Sequence, residues 1–404
     1  MSAGIHLPPL LAALLAAASL RVAHAAPDCP VPLPTEAAAG AGFAWQALPA
    51  TAAVPAAAPY RIGVWGDSLT SARNFVDAAL QGSGIERTAV LPSFIQAGLR
   101  VPGLALPLKA ACASVGWHTA YAYRAKGDTP AFSPGLLSME SSSPGQTLAL
   151  DFRFPRPDTR VRQLDILYDK GAPDDSLLLA VAVDGQEEQL IPLSRTATGV
   201  LRIAPRVPMA QLRLRLVSGH VRLHGFLPHY EGAPRAVLDI LSVPGAQVRG
   251  WQHIDARLLP GAPAYDVLIL QYGTNEGASP AFDPVAYAGS LRASLARMRQ
   301  LQPHARCILV GPPDRGVTGA RPADPMKYSA IHRRIASTQK QVGAQFGCAF
   351  WDWQGATGGA GTALRWARAN PPLMQPDLTH LTAQGYEVSG RLFARSHRFN
   401  LPQH

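Results

Sequence analysis

The chain has 404 residues, of which 47% are hydrophobic and 16% charged, a balance typical of a folded protein and not of a disordered one. Its formal net charge is +10, but the arginines are scattered and no basic block is interleaved with aromatic residues, so nucleic-acid binding is disfavoured. A soluble basic protein is the plainer interpretation, and attraction to anionic envelope polymers is the alternative.

The first 25 residues are predicted to be a secretory signal peptide. Residues 7–20 are almost wholly apolar, and Ala23, His24 and Ala25 form a small-x-small cleavage pattern. The apolar run is too short for a comfortable membrane span, and no later stretch is long enough, so we expect no stable membrane insertion. An uncleaved anchor is the alternative. Cleavage implies export across an inner membrane, with the periplasm as the expected location.

Residues 26–59 are rich in Ala and Pro and are predicted to be an extended leader. From residue 60 the pattern changes, because 61–65 predicts a short apolar strand and 70–80 has the apolar spacing of a helix. A strand, a tight turn and a helix form the opening unit of a parallel α/β sheet.

Residues 112–230 have a different pattern. Short strand-like runs such as 178–183 and the alternating run 212–216 occur along this segment, with turn signals at 169–171 and 184–185. This spacing predicts an all-β sandwich.

The α/β pattern then returns. It predicts four strands, at 236–243, 267–270, 307–310 and 348–353. It also predicts two helices, at 283–301 and 382–396. The simplest organisation is a discontinuous α/β domain of residues 60–111 and 231–404, with the β-sandwich inserted after its first unit.

The four cysteines include no C-x-x-C pair, which disfavours a structural zinc site. Cys307 and Cys348 lie in apolar, strand-like runs, so neighbouring strands could pair them in an oxidising compartment. Cys29 with Cys112 is the remaining combination. Buried free thiols are the alternative for either pair. No histidine spacing predicts a catalytic metal, and no cofactor is expected.

Ser68 directly follows the first predicted strand, in the stretch Gly66-Asp67-Ser68-Leu69. A serine hydroxyl is a weak nucleophile until a base removes its proton. Near the C-terminus, Asp377 and His380 are three residues apart, and histidine titrates near neutral pH. On a turn the carboxylate could hold one imidazole nitrogen while the other faces a nucleophile. Capping of the final helix is the structural alternative for this segment.

Two further residues follow predicted strands. Gly245 could present a backbone N–H to an oxyanion without a side chain in the way, and Asn275 could offer its side-chain amide. Each could instead be a turn residue. Loops at the carboxyl ends of parallel strands converge on one edge of the sheet, which favours a shared site.

The chain resembles the SGNH (GDSL) hydrolase family in four blocks, which are Gly66-Asp67-Ser68-Leu69, Gly245, Gly273-Thr274-Asn275 and Asp377-Leu378-Thr379-His380. The resemblance implies a three-layer α/β/α fold, with Ser68 as nucleophile, His380 as base and Asp377 as its orienting carboxylate. It also implies an oxyanion hole formed by the Ser68 and Gly245 N–H groups and Asn275. The chain departs from the family pattern at Val243 and Glu276.

The order of elements is similar to that of periplasmic peptidoglycan O-acetylesterases, which carry an inserted, carbohydrate-binding-like β module. The resemblance implies a serine esterase acting on an acetylated polysaccharide, with peptidoglycan as the leading substrate. We expect the protein to be a monomer. An esterase or lipase for another acylated glycan or lipid, an acetyltransferase, and a non-catalytic glycan-binding protein are the alternatives. Trp351 and Trp353 could stack on a sugar, although burial in the core is favoured for both.

Overall fold

The computed structural model describes residues 42–52, 60–127, 131–170, 176–193, 198–258, 265–318 and 324–401. The strands are, in chain order, β1 (Phe43–Pro49), β2 (Arg61–Gly66), β3 (Val90–Leu91), β4 (Ile95–Gln96), β5 (Ala110–Ala113), β6 (His118–Tyr121), β7 (Leu137–Ser141), β8 (Thr147–Asp151), β9 (Val161–Lys170), β10 (Leu178–Val183), β11 (Gln189–Pro192), β12 (Thr198–Pro205), β13 (Gln211–Ser218), β14 (Val221–Tyr230), β15 (Ala236–Ile240), β16 (Val267–Gln271), β17 (Arg306–Val310) and β18 (Cys348–Trp351). The helices are α1 (Ser68–Ser71), α2 (Asn74–Gly82), α3 (Pro284–Leu301), α4 (Ser329–Gln345), α5 (Trp353–Ala356), α6 (Thr362–Ala367) and α7 (Ala383–Ser396).

Six strands form a parallel sheet in the order β18-β17-β16-β2-β15-β3. Alternate side chains of these strands point to opposite faces. Ile62 and Val64 of β2 pack with α2 and α7 on one face, whereas Leu268 and Leu270 of β16 pack with α3 and α4 on the other. The predicted three-layer α/β/α domain is therefore confirmed.

The connections of this sheet place a crevice at the end of β2. From β2 the chain runs outward to β3, returns to β15 beside β2, and then continues on the other side through β16, β17 and β18. Such a reversal of strand order opens a crevice at the carboxyl ends of the strands, which is where α/β proteins bind ligands. Ser68 follows β2 at this point.

Two antiparallel sheets form the β module. One has the order β1-β12-β9-β14-β7-β6, with β4 also paired to β14, and the other has the order β11-β10-β13-β8-β5. Alternation along β9 explains the packing, because Leu164, Ile166 and Tyr168 lie in the core between the sheets. Leu167 points the other way and joins the apolar cluster of the α/β domain. The predicted inserted all-β module is confirmed, and the central strand β9 of its larger sheet is buried on both faces.

The boundaries of the β module differ from those predicted. Phe43–Pro49, in the predicted leader, pairs with β12, and Ile95–Gln96, assigned to the α/β domain, pairs with β14. Phe43 and Ile95 are buried in the core of the module, and this burial draws both segments into it. The module therefore takes strands from both sides of β2.

The predicted Cys307–Cys348 disulfide is confirmed. The two residues lie opposite each other on β17 and β18, with Cα atoms 4.5 Å apart. Cys29 and the predicted signal peptide lie outside the described residues, so the Cys29–Cys112 pairing stays a prediction. In the part of the chain that the structure describes, no helix has the length and apolar character needed to cross a membrane.

Candidate active site

Ser68, His380 and Asp377 form a continuous hydrogen-bonded relay. The Ser68 Oγ lies 2.9 Å from His380 Nε2, and His380 Nδ1 lies 2.6 Å from Asp377 Oδ2. The imidazole is 41% exposed and Ser68 is partly exposed, so a ligand can reach both from outside. A nucleophile, a base and a group that orients the base are thus aligned as an activated serine requires.

The Asp377–His380 segment is held by its own backbone. Asp377 Oδ1 accepts hydrogen bonds from the N–H groups of Thr379 and His380, both at 2.9 Å. Burial alone would raise the pKa of Asp377, but the hydrogen bonds from the His380 ring and from these N–H groups outweigh it and hold the pKa below its usual value. The carboxylate therefore stays ionised and keeps the ring oriented.

Leu378, which lies between Asp377 and His380, adopts a left-handed φ of 54°, which is unfavourable for a residue with a Cβ. Its carbonyl accepts a hydrogen bond of 2.8 Å from the N–H of Gly316. This backbone turn lets Asp377 and His380 point the same way. The helix α7 begins only afterwards, with Thr382 as its N-cap. The structural alternative of capping therefore applies to Thr382 and not to Asp377.

Asp67 fixes the loop that carries Ser68. Its side chain is completely buried and accepts a hydrogen bond of 2.9 Å from the N–H of Leu69, as the N-cap of α1. Gln271 at the end of β16 donates to its other oxygen, at 3.3 Å. Burial raises the pKa of Asp67 to about 6, in spite of these hydrogen bonds. The ends of β2 and β16 are thus tied together directly beneath Ser68.

The loop after β15 is tied to the same place. Thr70 Oγ1 lies 2.7 Å from Ser242 Oγ, and the N–H of Val243 donates to the carbonyl of Gly66 at 2.9 Å. Gly245 follows with φ of 80°, a conformation that favours glycine. Among the described residues, no acceptor forms a hydrogen bond with the N–H groups of Ser68 or Gly245. Both donors are therefore available to an oxyanion.

Asn275 is held beside this loop by its neighbour Glu276. The Asn275 side-chain amide donates to the Ala246 carbonyl at 2.9 Å, which leaves its second N–H available. The Glu276 carboxylate accepts from Val248 N–H at 2.7 Å and from Gly273 N–H at 3.0 Å. Burial raises the pKa of Glu276 to about 7. Glu276, which departs from the family pattern, thus joins the two loops that carry the candidate oxyanion donors.

The sugar-stacking interpretation of Trp351 and Trp353 is wrong. Trp351 is 5% exposed and Trp353 is 0% exposed. Trp353 stacks on Phe75 with ring centroids 4.6 Å apart, and its indole N–H donates to Ser389. Both rings fill the core between the parallel sheet and the helices α2 and α7, as the favoured interpretation expected.

Glu276 and Tyr123 contact the candidate oxyanion loops, but the sequence did not predict a role in the site for either. Glu276 was noticed only as a departure from the family pattern. Tyr123 comes from the β module, and a Cβ on Gly245 would lie 2.9 Å from its hydroxyl. Within the described ranges, no cluster of three or more His, Cys, Asp or Glu side chains is arranged to hold a metal ion.

Comparison with known proteins gives the same class. Residues 219–388 match the model of the GDSL-like Lipase/Acylhydrolase family. The matched segment contains Gly245, Asn275, Asp377 and His380, whereas Ser68 lies before the inserted module and outside the match. This segment is similar to that family, and the chain has the SGNH hydrolase fold. It is a carboxylic ester hydrolase.

One solved structure supports this fold. A peptidoglycan O-acetylesterase is similar with a TM-score of 0.62 and 19% identity, over 83% of this chain and 90% of that chain. A lipase/acylhydrolase from Enterococcus faecalis aligns with a TM-score of 0.30 and 19% identity, over 40% of this chain and 75% of that one. No curated protein sequence matches the chain.

Proposed function

We propose that this esterase removes O-acetyl groups from peptidoglycan, where the acetyl group is carried by muramic acid. The observation that carries the proposed chemistry is the relay from Ser68 through His380 to Asp377, with distances of 2.9 and 2.6 Å. The substrate is supported by the similarity to a peptidoglycan O-acetylesterase, which extends over 83% of this chain.

In the first half of the reaction, Ser68 Oγ attacks the carbonyl carbon of the acetyl ester. Its proton passes to His380 Nε2, and Asp377 stabilises the charged ring through Nδ1. The bond between the carbonyl carbon and the sugar oxygen then breaks, and the sugar oxygen takes the proton from His380. The products are the free sugar hydroxyl and an acetyl ester on Ser68.

In the second half, water takes the place of the sugar. His380 Nε2 accepts a proton from the water as its oxygen attacks the acetyl carbonyl carbon. The ester bond to Ser68 then breaks, acetate leaves, and the proton returns to Ser68 Oγ. Both tetrahedral intermediates carry a negative oxygen, which the N–H groups of Ser68 and Gly245 and the free N–H of Asn275 would stabilise.

Acetate release from O-acetylated peptidoglycan tests this proposal. Base-treated peptidoglycan, which has lost its esters, is the matched control substrate. We expect acetate from the first polymer and none from the second. Ser68→Ala should abolish release and leave binding to the polymer intact, and unchanged hydrolysis by this variant would refute a serine mechanism. The same variant separates an esterase from a non-catalytic glycan-binding protein.

A lipase or an esterase for another acylated glycan predicts a different substrate profile. In a series of p-nitrophenyl esters, we expect acetyl to be hydrolysed fastest. A tenfold preference for longer acyl chains would contradict the polysaccharide proposal. Acetyl transfer uses the same acyl-serine, and it would be recognised by acetate release that falls as a sugar acceptor is added. We further propose that the protein acts in the periplasm as a monomer, which fractionation and size-exclusion chromatography test.

A further inference from the structure

The inserted β module reaches the candidate oxyanion loop. Its short 3-10 turn, Ala122–Arg124, lies against the 3-10 helix Val248–His253, which follows Gly245. Tyr123 is 8% exposed, and its hydroxyl donates a long hydrogen bond of 3.5 Å to the carbonyl of Pro244. The position of this turn is therefore fixed relative to Gly245.

Tyr121 and Arg124 flank Tyr123 and form an aromatic and cationic ledge, which we name the Tyr121–Arg124 ledge. The rings of Tyr121 and Tyr123 meet edge to face, with centroids 5.6 Å apart. The Arg124 guanidinium carbon lies 4.7 Å from the Tyr121 ring centroid and 5.2 Å from that of Tyr123. Stacking on two rings restricts the arginine side chain before any ligand arrives. Arg124 itself is exposed, and Tyr121 is half-buried.

The surroundings of the ledge are basic. Lys126 follows on the same segment and Arg249 lies on the neighbouring 3-10 helix, and both are exposed. None of Arg124, Lys126 and Arg249 forms an ion pair with a described residue. A guanidinium that is held on aromatic rings with its N–H groups free is suited to bind a carboxylate. The rim of the site beside Gly245 thus combines a ring surface with uncompensated positive charge.

We infer that the Tyr121–Arg124 ledge is a substrate-binding subsite for an acylated sugar whose polymer carries a carboxylate. The sugar ring contacts Tyr121, and the carboxylate pairs with Arg124. This inference rests on the proposed function, because the muramoyl sugar of peptidoglycan bears a peptide with free carboxylates. The β module then contributes directly to substrate selection at the ester, and Tyr121 and Arg124 are specificity residues that take no part in bond breaking.

Kinetics on two forms of one polymer test this role. The first is O-acetylated peptidoglycan, and the second is the same preparation with its peptide carboxylates amidated by carbodiimide coupling. Arg124→Gln should raise KM for the first polymer about tenfold, with kcat changed less than about twofold. On the amidated polymer, wild type and Arg124→Gln should have equal KM values. Arg124→Lys should have a KM between those of wild type and Arg124→Gln, because lysine restores the positive charge but not the paired N–H groups of the guanidinium.

Control measurements separate a subsite from a structural effect. Arg162→Gln changes an exposed arginine on β9 of the same module and should leave KM unchanged. Hydrolysis of p-nitrophenyl acetate, which carries no carboxylate, should be unchanged in Arg124→Gln. Tyr121→Ala should raise KM for both polymers.

Three results would overturn the inference. Suppose that wild type deacetylates peptidoglycan and that Arg124→Gln and Arg162→Gln have the same KM for this polymer. The subsite is then absent, and the proposed function stands. If Arg124→Gln loses as much activity on p-nitrophenyl acetate as on peptidoglycan, Arg124 has a structural role. If wild type hydrolyses p-nitrophenyl acetate but releases no acetate from peptidoglycan, the proposed function fails and the inference fails with it.

Discussion

Ser68 and His380 are 312 residues apart in the chain, yet the Ser68 Oγ and His380 Nε2 are 2.9 Å apart. The first strand of the parallel sheet ends just before Ser68, and the last helix begins just after His380. All strands of the β module except β1, and all of the other strands of the parallel sheet, lie between them. The reacting pair therefore exists only when the sheet is assembled, and its geometry depends on the loops at one edge of that sheet.

Asp377→Asn should lower kcat at least about 100-fold, because an amide cannot stabilise the charged imidazole and favours the wrong tautomer. The fold should be retained, since the N–H groups of Thr379 and His380 can still donate to the remaining side-chain oxygen. Asp352→Asn is the matched control, because Asp352 is an exposed N-cap that accepts from Gly355 N–H at 2.9 Å. The rate of p-nitrophenyl acetate hydrolysis is measured for both variants. Equal rates in Asp377→Asn and Asp352→Asn would show that Asp377 has no catalytic role.

Gly245→Ala should lower kcat/KM for p-nitrophenyl acetate at least about tenfold, since the new Cβ would lie 2.9 Å from the Tyr123 hydroxyl and displace the oxyanion donor. Gly84→Ala is an unusually close control. Gly84 also has φ of 80°, but a Cβ there would meet nothing within 4 Å. It should cost about 1 kcal/mol of stability and no activity. If both variants remain fully active, Gly245 does not donate to the oxyanion.

The buried carboxyl of Asp67 makes the stability of the protein depend on pH. Burial raises the pKa of Asp67 from 3.8 to about 6, so the folded state holds a proton more tightly than the unfolded chain. This contribution is fully present below pH 3.8 and is lost as the pH rises through about 6. Asp67→Asn removes the titration and keeps an oxygen for the Leu69 N–H.

Urea unfolding of wild type and Asp67→Asn at several pH values measures this effect. Relative to wild type, the free energy of unfolding of the variant should increase by about 3 kcal/mol from below pH 4 to above pH 7. Loss of one hydrogen bond to Gln271 adds an offset that does not change with pH. A difference between the two proteins that is constant across this range would contradict the account.

The Cys307–Cys348 disulfide closes a loop in which the two residues are separated by 41 positions. Replacing both with alanine should lower the free energy of unfolding by about 2–4 kcal/mol. Both cysteines lie near the amino ends of their strands, at the edge of the sheet opposite Ser68. Activity at 25 °C should therefore be unchanged. If the variant is folded but inactive, the disulfide is needed for the geometry of the active site.

Much of the fold could be predicted because the buried strands are continuous apolar runs, but some elements, such as β1 and α4, could not. In β1 only Phe43 is buried, and the strand forms because it pairs with β12. The helix α4 buries His332 and Gln339 beside Ile335, so its inner face does not stand out as apolar. Both elements depend on tertiary partners that a local pattern does not contain.

The same reason limited prediction of the site. Ser68, Gly245, Asn275 and the Asp377–His380 segment occur in a characteristic order and the structure brings them to one edge of the sheet. The contacts that position them are not visible in that order. Glu276 joins two loops through backbone N–H groups, and Tyr123 arrives from another module, so only the assembled structure brings these contacts together.

The central claim is that Ser68 carries the acetyl group between two half-reactions. Rapid acid quenching of the enzyme during turnover of O-acetylated peptidoglycan, followed by peptide mass spectrometry, tests it most directly. We expect one acetyl group on the peptide that contains Ser68, which disappears as substrate is exhausted and never forms in Ser68→Ala. Acetylation of another residue during turnover, or acetate release by Ser68→Ala at the wild-type rate, would contradict the account.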